Sequence, residues 1–406
     1  MTKTMQLNLL KIDYYQKVLE RIFKIQDCEV TFSNKYEIAD HYGSDIVFID
    51  VKGKNWDGKT NKYHLVVKSG PTDVKIRQHL PIVDAFNAEI NVFNQLIPRF
   101  HKLQIEKGLE LFGSTANCYH ATMTGQLEIM IMENLTAKGY TVHNKTSPLD
   151  INHIKLVIKA YAEWHALSFA LKDQYPNDYL QIAENFRFSA WRKFIQGGFG
   201  QILNICQKDF YKWLKEIGEV ELLEQHKSKL HNNDVVTVLI RLMEETNKES
   251  VILHGDCWNN NFMFRYEGGC PVAVTLLDFQ MTSVNSPVID LSHFIYAVAS
   301  EHELKHLKEL LEFYYEHLSI YLELLHTDID KVFPKELFRT HWKQYSVHGA
   351  CMCLGILLFS FVEKDCNVDF TDREKLANEI LPKLLKNSEY KNRILQVAKS
   401  FLEFEF

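Results

Sequence analysis

Three polar residues suited to phosphoryl transfer follow short apolar runs between residues 251 and 280. Asp256 follows the first run, Asn261 lies five positions later, and Asp278 ends the third run after a turn at residues 267–271. We predict that the runs are strands and that each polar side chain lies at a strand edge. Such an arrangement can orient a hydroxyl group beside Asp256. It can also hold nucleotide-bound Mg²⁺ with the oxygens of Asn261 and Asp278, since Mg²⁺ prefers oxygen ligands.

Asp256 is the candidate catalytic residue, because its carboxylate would accept the proton of the hydroxyl group. The ordinary pKa of an aspartate makes it a weak base near pH 7, so we expect orientation to contribute more than proton removal. His254 is included in the predicted catalytic site as an organiser of the backbone rather than as a base. An isolated aspartate after a strand is usually a turn or cap residue, and residues 259–261 alone could form a polar turn. The combined spacing, including Asn261 and Asp278, favours catalysis.

A cation for the nucleotide phosphates is expected in the first third of the chain. Lys68 ends a β-like run at residues 63–68, and Glu89 lies in the predicted helix at residues 84–96. A glutamate that pairs with Lys68 would fix its ammonium group over the α- and β-phosphates. Both residue types are usually solvated, so this assignment depends on the polar residues between 251 and 280.

The hydrophobic periodicity predicts a small sheet with an inserted helix, followed by a mainly helical region. An amphipathic helix at residues 7–25 opens the chain. The predicted strands of the first third are residues 29–38, 45–51, 63–68, 109–115, 118–123 and 128–132. The predicted helical segments of the remainder are residues 151–171, 172–250, 287–299, 303–325, 335–362 and 373–404.

The predicted fold class is therefore α+β with two lobes. The N-lobe spans residues 1–132 and contains a small antiparallel sheet with the helix that carries Glu89. The helical C-lobe spans residues 133–406 and includes the catalytic loop at 254–261 and an aromatic-rich helical insert at 172–250.

Composition narrows the classes of function. The net charge of −6 over 406 residues argues against a nucleic-acid surface. The eight cysteines are scattered without a C-x-x-C pair, which is typical of reduced thiols in the cytosol. The longest nearly apolar run, residues 350–362, is too short to span a bilayer, and the N-terminus has no signal-peptide pattern. We therefore predict a cytoplasmic protein, expected to be a monomer, without a membrane partner.

The motifs of this sequence resemble those of a known group of enzymes. The sequence is similar to the aminoglycoside/choline phosphotransferase branch of the protein-kinase-like superfamily, and most closely to the ecdysteroid kinase-like, or CHK kinase-like, family. The similarity extends over residues 28–360. The segments that carry it are residues 86–93 (FNAEINVF), 132–135 (MENL), 161–169 (YAEWHALSF), 254–262 (HGDCWNNNF), 276–280 (LLDFQ) and 287–291 (PVIDL).

The resemblance implies a two-lobed kinase-like fold with ATP and Mg²⁺ in the cleft. The backbone of Glu133 and Leu135 would bind adenine at the hinge between the lobes, and Asp290 would brace the catalytic loop. Gly43 and Ser44 would belong to the loop that covers the phosphates, with the Ser44 hydroxyl and backbone N–H groups as donors. The implied activity is phosphorylation of an alcohol, with the 22-hydroxyl of an ecdysteroid as the name-giving acceptor.

The acceptor is expected to be a small molecule, because only 11 residues separate Asp278 from Asp290 and leave no room for a peptide-docking segment. The aromatic residues of the insert permit a lipophilic alcohol, although most of them are expected in the core. The alternatives are a kinase of another small alcohol or xenobiotic, and a pseudokinase-like protein that binds a hormone or nucleotide. The presence of Lys68, Asp256, Asn261 and Asp278 disfavours the pseudokinase. Trp258 is expected either to pack the catalytic loop or to face the substrate.

Overall fold

The N-terminal part of the molecule is an antiparallel five-stranded sheet preceded by one helix. The computed structural model describes residues 12–33, 43–124, 127–187, 190–362 and 376–406. The helix and the strands are α1 (Ile12–Phe23), β1 (Gln26–Phe32), β2 (Asp45–Lys54), β3 (Thr60–Ser69), β4 (Cys118–Thr124) and β5 (Leu127–Glu133). Their order across the sheet is β1-β2-β3-β5-β4. Parts of the predicted first helix and first strand, residues 7–11 and 34–38, lie outside the described residues.

The two faces of β3 have different roles. Leu65 and Val67 pack into the core between the sheet and α1, whereas Val66 and Lys68 line a cavity on the other face. This separation follows from the alternation of side chains along a strand. The predicted Lys68 strand is therefore confirmed, with longer bounds.

Three helices connect β3 to β4. They are α2 (Val74–His79), α3 (Ile82–Asn91) and α4 (Ile97–Glu106), with a π-helical turn at Val92–Leu96 before α4. Phe86 and Ile90 of α3 pack against Met130 of β5, because apolar residues at helical spacing form one face. Glu89 is almost completely buried on the same helix, and its position relative to Lys68 is set by this packing.

The predicted strand at residues 109–115 is wrong. Its backbone forms only an isolated bridge, between Thr115 and Leu276, among the residues that the structure describes. The Gln104 side chain accepts a hydrogen bond from the Phe112 N–H and donates one to the Glu110 carbonyl. Two backbone groups in the middle of the segment are thus satisfied by a side chain instead of a neighbouring strand.

The rest of the molecule is mainly helical, so the predicted α+β class is confirmed. The longest helix is α5 (Ile151–Gln174), which is buried on most of its surface. The helices of the insert are α6 (Pro176–Ala183), α7 (Ala190–Gln196), α8 (Gly198–Glu216), α9 (Val220–Lys229) and α10 (Val235–Glu244). The helices that follow the catalytic segment are α11 (Val288–Val298), α12 (Glu301–Leu304), α13 (Leu307–Leu324), α14 (Ile329–Val332), α15 (Lys335–Tyr345), α16 (Val347–Ser360), α17 (Leu381–Leu384) and α18 (Ser388–Glu403).

The three apolar runs between residues 251 and 280 are strands, as predicted, but they belong to two different sheets. The strands of this region are β6 (Tyr140–Val142), β7 (Val251–Ile252), β8 (Phe262–Glu267), β9 (Cys270–Leu276) and β10 (Val284–Asn285). One sheet has the order β6-β8-β9, and β7 pairs with β10. Helix α5 supports the short β7 directly, because the Trp164 indole N–H donates to the Ile252 carbonyl and the Ser168 hydroxyl accepts from the Ile252 N–H.

The long helices predicted near the C-terminus are interrupted. Residues 335–362 form α15 and α16 with a break at Ser346, and residues 303–325 fall into α12 and α13. Residues 373–375 of the last predicted helix lie outside the described residues, and the remainder is split by a π-helical turn and the cap at Asn387. Among the described residues, none of the helices has the length and apolar character needed to cross a bilayer.

Candidate active site

Lys68 and Glu89 form a buried ion pair between β3 and α3. Their Nζ and Oε2 atoms are 2.6 Å apart, and both side chains are more than nine-tenths buried. The pKa of Glu89 is raised to about 6 because burial disfavours its charged form, although the Lys68 ammonium opposes this effect. The pKa of Lys68 is also raised, since the carboxylates of Asp278 and Glu89 outweigh the lowering effect of burial. The structure therefore places the two predicted residues Lys68 and Glu89 in direct contact.

Asp278 connects the N-terminal sheet to the catalytic segment. Its Oδ1 atom lies 2.9 Å from Lys68 Nζ, and its backbone adopts the left-handed region with φ of 63°. A short 3₁₀ turn, Phe279–Met281, follows it and packs against α3, the helix that carries Glu89. Left-handed backbone is uncommon for residues other than glycine and is found at functional sites. Here it redirects the chain at the point where the Asp278 carboxylate enters the cavity.

The loop that carries Asp256 is held by a buried carboxylate. Asp290 accepts hydrogen bonds from the N–H groups of His254 and Gly255 at 2.7 and 2.9 Å. Burial would raise the pKa of Asp290, but hydrogen bonding and charge from His165, with the His254 contacts, lower this pKa to about 2. The Asp290 carboxylate is therefore a stable anion that fixes the loop.

His254 and Gly255 connect this loop to the segment around Asp278. The His254 Nε2–H donates to the Leu277 carbonyl at 2.8 Å, and burial lowers the pKa of this imidazole. Gly255 has a φ of 89°, and a Cβ atom there would lie 2.0 Å from the Met281 carbonyl oxygen. A larger residue at position 255 would thus clash with the turn that follows Asp278. His254 lies behind the site as part of this connection.

Asp256 points into the cavity and contacts Asn261. The Asn261 Nδ2 atom donates to the Asp256 carboxylate at 2.8 Å and to its backbone carbonyl at 3.0 Å. Burial and the negative charge of Asp278 raise the pKa of Asp256 to about 7, against hydrogen bonds from Asn261 and Trp258. The ordinary aspartate pKa assumed from the sequence was therefore wrong for this site. A carboxylate with a pKa near 7 is a much more effective base at neutral pH.

Trp258 combines the two roles that the sequence left open. Its side chain is 8% exposed within the hydrophobic core, and it also lines the cavity. Its side chain is close enough to the Asp256 carboxylate to lower the pKa of that group. Trp258 therefore packs the loop and contacts the catalytic carboxylate at the same time.

One continuous cavity of about 360 Å³ is lined by Lys68, Glu89, Asp256, Trp258, Asn261 and Asp278. The half of this cavity under the sheet includes Gly43, Ser44, Glu133 and Leu135, which were predicted to bind the nucleotide, and we call it the nucleotide half. The Glu133 carboxylate accepts hydrogen bonds from the Asn117 N–H at 2.8 Å and from Lys138. The Glu133 N–H donates to the Asn117 carbonyl at 3.0 Å, so neither its charge nor its N–H is left for a ligand. The apolar residues that enclose this half are Ile46, Phe48, Val66, Ala116, Met132, Met263 and Leu277.

The opposite half of the cavity, which we call the acceptor half, is apolar and was only partly predicted. It is formed by α7, α8 and α16 together with the segment before α17. Its apolar lining residues are Trp191, Phe194, Phe199, Ile202, Ile205, Met352, Ile356, Phe359, Leu376 and Leu381. The α16 residues were missed because α16 is apolar on all sides and its sequence therefore resembles an ordinary core helix. The spacing of 352, 356 and 359 on one helical face is the signal that identifies them.

The residues present suit a magnesium ion that is shared with a nucleotide. Asn261 uses its side-chain nitrogen on Asp256, which leaves its amide oxygen for a cation. Asp278 offers a carboxylate in the same cavity. Within the described residues, no group of three or more histidine, cysteine or acidic side chains could hold an ion by themselves. This donor set fits Mg²⁺, which usually takes one or two carboxylates and completes its coordination with phosphates and water.

Comparison with known proteins gives structural neighbours and a family. A GDP complex of aminoglycoside 2'-phosphotransferase-IIIa overlaps with 96% of this chain and 98% of its own, at 11% identity and a TM-score of 0.41. A protein described as a fructosamine-3-kinase from Haemophilus somnus overlaps with 86% and 97%, at 13% identity and a TM-score of 0.32. The search of curated proteins gives no match.

The model of the ecdysteroid kinase-like family matches residues 38–327. This range includes every residue of the ion pair, the catalytic loop and the segment around Asp278 described above. It covers well over half of the 406 residues. The chain therefore belongs to the ecdysteroid kinase-like family, a family of small-molecule phosphotransferases.

Proposed function

We propose that the protein is an ATP- and Mg²⁺-dependent kinase that phosphorylates a hydroxyl group of a lipophilic small alcohol, with an ecdysteroid as the first candidate. The observation that carries the proposal is the position of Asp256. Its carboxylate lies in one cavity between the Lys68–Glu89–Asp278 cluster and the acceptor half. The residues proposed for catalysis all come from one chain, so a monomer suffices.

Each residue of the cluster has a defined task in this proposal. Lys68, held by Glu89, binds the nucleotide phosphates, and the oxygens of Asn261 and Asp278 hold the cation. A bound magnesium ion would neutralise charge that develops on the phosphates. Asp256 orients the acceptor hydroxyl and takes its proton on a carboxylate oxygen as the new O–P bond forms. The bond between the γ-phosphorus and the bridging oxygen of ATP breaks in the same step, and ADP leaves with that oxygen. Its raised pKa favours this proton transfer near pH 7.

The lining of the acceptor half supports a neutral, lipophilic acceptor. Among the described residues that line the cavity, the acidic ones are Glu89, Glu133, Asp256 and Asp278, and all of them lie in the nucleotide half or at the catalytic loop. A polycationic acceptor would need further carboxylates to compensate for its desolvated charges. Apolar surface instead stabilises a bound hydrocarbon body by about 25 cal/mol per Å² buried.

The direct test is transfer of the labelled γ-phosphate of ATP to a panel of alcohols. The panel contains ecdysteroids, other sterols, short lipophilic alcohols, choline and an aminoglycoside. We expect Mg²⁺-dependent transfer to a lipophilic member and little transfer to the two cationic acceptors. Nucleotide binding without transfer to any alcohol would contradict the enzymatic proposal and favour the pseudokinase-like alternative.

Preference for choline or the aminoglycoside would leave a kinase but contradict the assignment of a lipophilic acceptor. Phosphorylation of an added protein at a higher rate than the alcohols would indicate a protein kinase instead.

A further inference from the structure

Gln280 places an unused hydrogen-bond donor in the cavity. It lies two residues after Asp278, lines the same cavity, and is only 8% exposed. Its Nε2 atom is buried and has no hydrogen-bond partner among the residues that the structure describes. Buried side-chain donors are nearly always paired in folded proteins, because an unpaired donor loses its water without compensation. Because the unpaired Gln280 donor lies in the cavity wall, a bound ligand could satisfy it.

The backbone on both sides of Gln280 is fixed. The turn packs against α3, and the Phe279 ring packs against His254 with ring centres 4.7 Å apart. On the other side, the Met281 carbonyl fits closely against Gly255. The carboxamide is thus carried by a rigid turn, and its donor is positioned before any ligand arrives.

The turn Phe279–Met281 lies where the two halves of the cavity meet. It packs mainly against α3, which carries Glu89, and also against α7, which contributes Trp191 and Phe194 to the acceptor half. The Gln280 Oε1 atom would lie 3.7 Å from a Cβ atom on Gly43. The phosphates already have Lys68 as a candidate partner. The rest of the acceptor half is largely apolar. A donor at its entrance would therefore favour bound molecules that have a hydrogen-bond acceptor at that position.

We propose that the Gln280 carboxamide donates a hydrogen bond to an oxygen of the acceptor molecule other than the reacting hydroxyl. Gln280 is then a specificity-determining residue that selects oxygen-rich lipophilic alcohols over analogues that lack this oxygen. This inference deepens the proposed function and rests on it. A site built around a hydrogen bond discriminates against the deoxy analogue because the donor in the site is left unpaired.

The test compares a polyhydroxylated sterol, such as an ecdysteroid, with a set of its deoxy analogues. Each analogue keeps the reacting hydroxyl group but lacks one other oxygen. For the wild type we expect kcat/KM to fall roughly tenfold for the analogue that lacks the recognised oxygen. In Gln280→Met, which keeps the side-chain length but has no donor, this discrimination should disappear, mainly through KM of the acceptor. The KM of ATP should not change.

The controls separate this role from general damage. Gln225→Met, on the exposed surface of α9, should retain the wild-type discrimination. If Gln280→Met does not fold, Gln280→Glu keeps the length, removes both donors as the carboxylate, and serves in its place. Equal discrimination in the wild type and in the Gln280 variant would overturn the inference. A raised KM of ATP with unchanged acceptor discrimination would also overturn it, since Gln280 would then bind the nucleotide.

Failure of the proposed function remains distinguishable from failure of this inference. If the wild type transfers phosphate but the Gln280 variant discriminates equally well, only the Gln280 role is wrong. If the wild type transfers no phosphate, titration calorimetry with a non-hydrolysable ATP analogue present measures binding of the same alcohols. A preference for the hydroxylated alcohol that disappears in Gln280→Met would still support the contact. Equal binding, or none, would overturn it.

Discussion

The Lys68 ammonium group lies 2.9 Å from the Asp278 carboxylate, and this contact joins the N-terminal sheet to the end of β9. Glu89 holds the same ammonium group from α3 at 2.6 Å. One buried cation therefore compensates two carboxylates. Binding of nucleotide phosphates to Lys68 would compete with Asp278, which would release that carboxylate toward a cation.

Replacement of Lys68 by methionine should abolish turnover and reduce stability at neutral pH. The buried Glu89 carboxylate and the partly buried Asp278 carboxylate would lose their counter-charge, and breaking a buried pair such as Lys68–Glu89 costs about 3–5 kcal/mol. Thermal unfolding and nucleotide binding would measure the two effects separately. Lys75→Met provides a matched control, because Lys75 is exposed on α2. The double variant Lys68→Met/Glu89→Gln should recover stability but not turnover. A Lys68→Met protein with wild-type affinity for ATP would contradict the assignment.

The pH dependence of the rate should show the titration of Asp256. Since a base acts only when deprotonated, and the pKa of Asp256 is about 7, kcat/KM for ATP should fall about tenfold per pH unit below pH 7. It should level off above that pH. Steady-state rates between pH 5 and 9 would measure this profile. A flat profile down to pH 5 would show that Asp256 is not the base in the free enzyme.

The variant Asp256→Asn should lose turnover by at least about 10²-fold and still bind ATP. It should also be more stable than the wild type at pH 8. The folded pKa of about 7 lies above the unfolded value, so the charged carboxylate destabilises the fold, and this penalty grows as the pH rises toward 7. The gain in melting temperature should therefore shrink toward pH 4. Asp330→Asn, at an exposed position on α14, should change neither property.

The polar residues of the site could be predicted from the sequence because their chemistry has few structural alternatives at those positions. Asp256, Asn261 and Asp278 interrupt apolar strands where a core would not accept them. The acceptor half could not be predicted in the same way. Phe359 and its neighbours on α16 have the composition of a core helix, and only the tertiary arrangement shows that one face meets a cavity. Gln280 was part of the segment LLDFQ that carries the family resemblance, but its unpaired donor could be recognised only from the fold.

The predicted boundaries of helices and strands were wrong where tertiary contacts replaced local ones. Residues 109–115 have strand-like apolar residues, yet the Gln104 side chain hydrogen bonds with the Glu110 carbonyl and the Phe112 N–H, where a strand would use a neighbouring strand. The raised pKa of Asp256 could not be predicted from the sequence either. It depends on burial and on the distance to Asp278, which lies 22 positions away in the chain.

Loss of the Asp290 charge should disturb the catalytic loop more than any surface change. Asp290→Asn removes one of the two anionic oxygens that accept the His254 and Gly255 N–H groups. We expect a lower melting temperature at pH 7 and a fall in kcat. The folded pKa of about 2 lies below the unfolded value, so the stabilisation is present above about pH 4 and is lost as the pH falls toward 2. Melting curves of both proteins should converge in that acid range. Equal stability at pH 7 would contradict the bracing role.

The insert should control the catalytic loop through Trp191. Its indole N–H donates to the Gly255 carbonyl at 3.0 Å in a buried contact, one residue before Asp256. In Trp191→Phe the carbonyl would lose this partner at a cost of about 1–3 kcal/mol, while most of the ring surface in the acceptor half remains. We therefore expect a lower kcat and a modest rise in the KM of the acceptor, with unchanged ATP affinity.

Trp213→Phe, on α8 of the same insert, is the matched control, because Trp213 does not line the described cavity. It should retain the wild-type kcat. If Trp191→Phe changed only the KM of the acceptor, the indole would act as a pocket wall alone. Equal effects of the two substitutions on kcat would instead indicate a general loss of packing in the insert. A selective fall in kcat for Trp191→Phe would show that the helices that enclose the acceptor also position the base that acts on it.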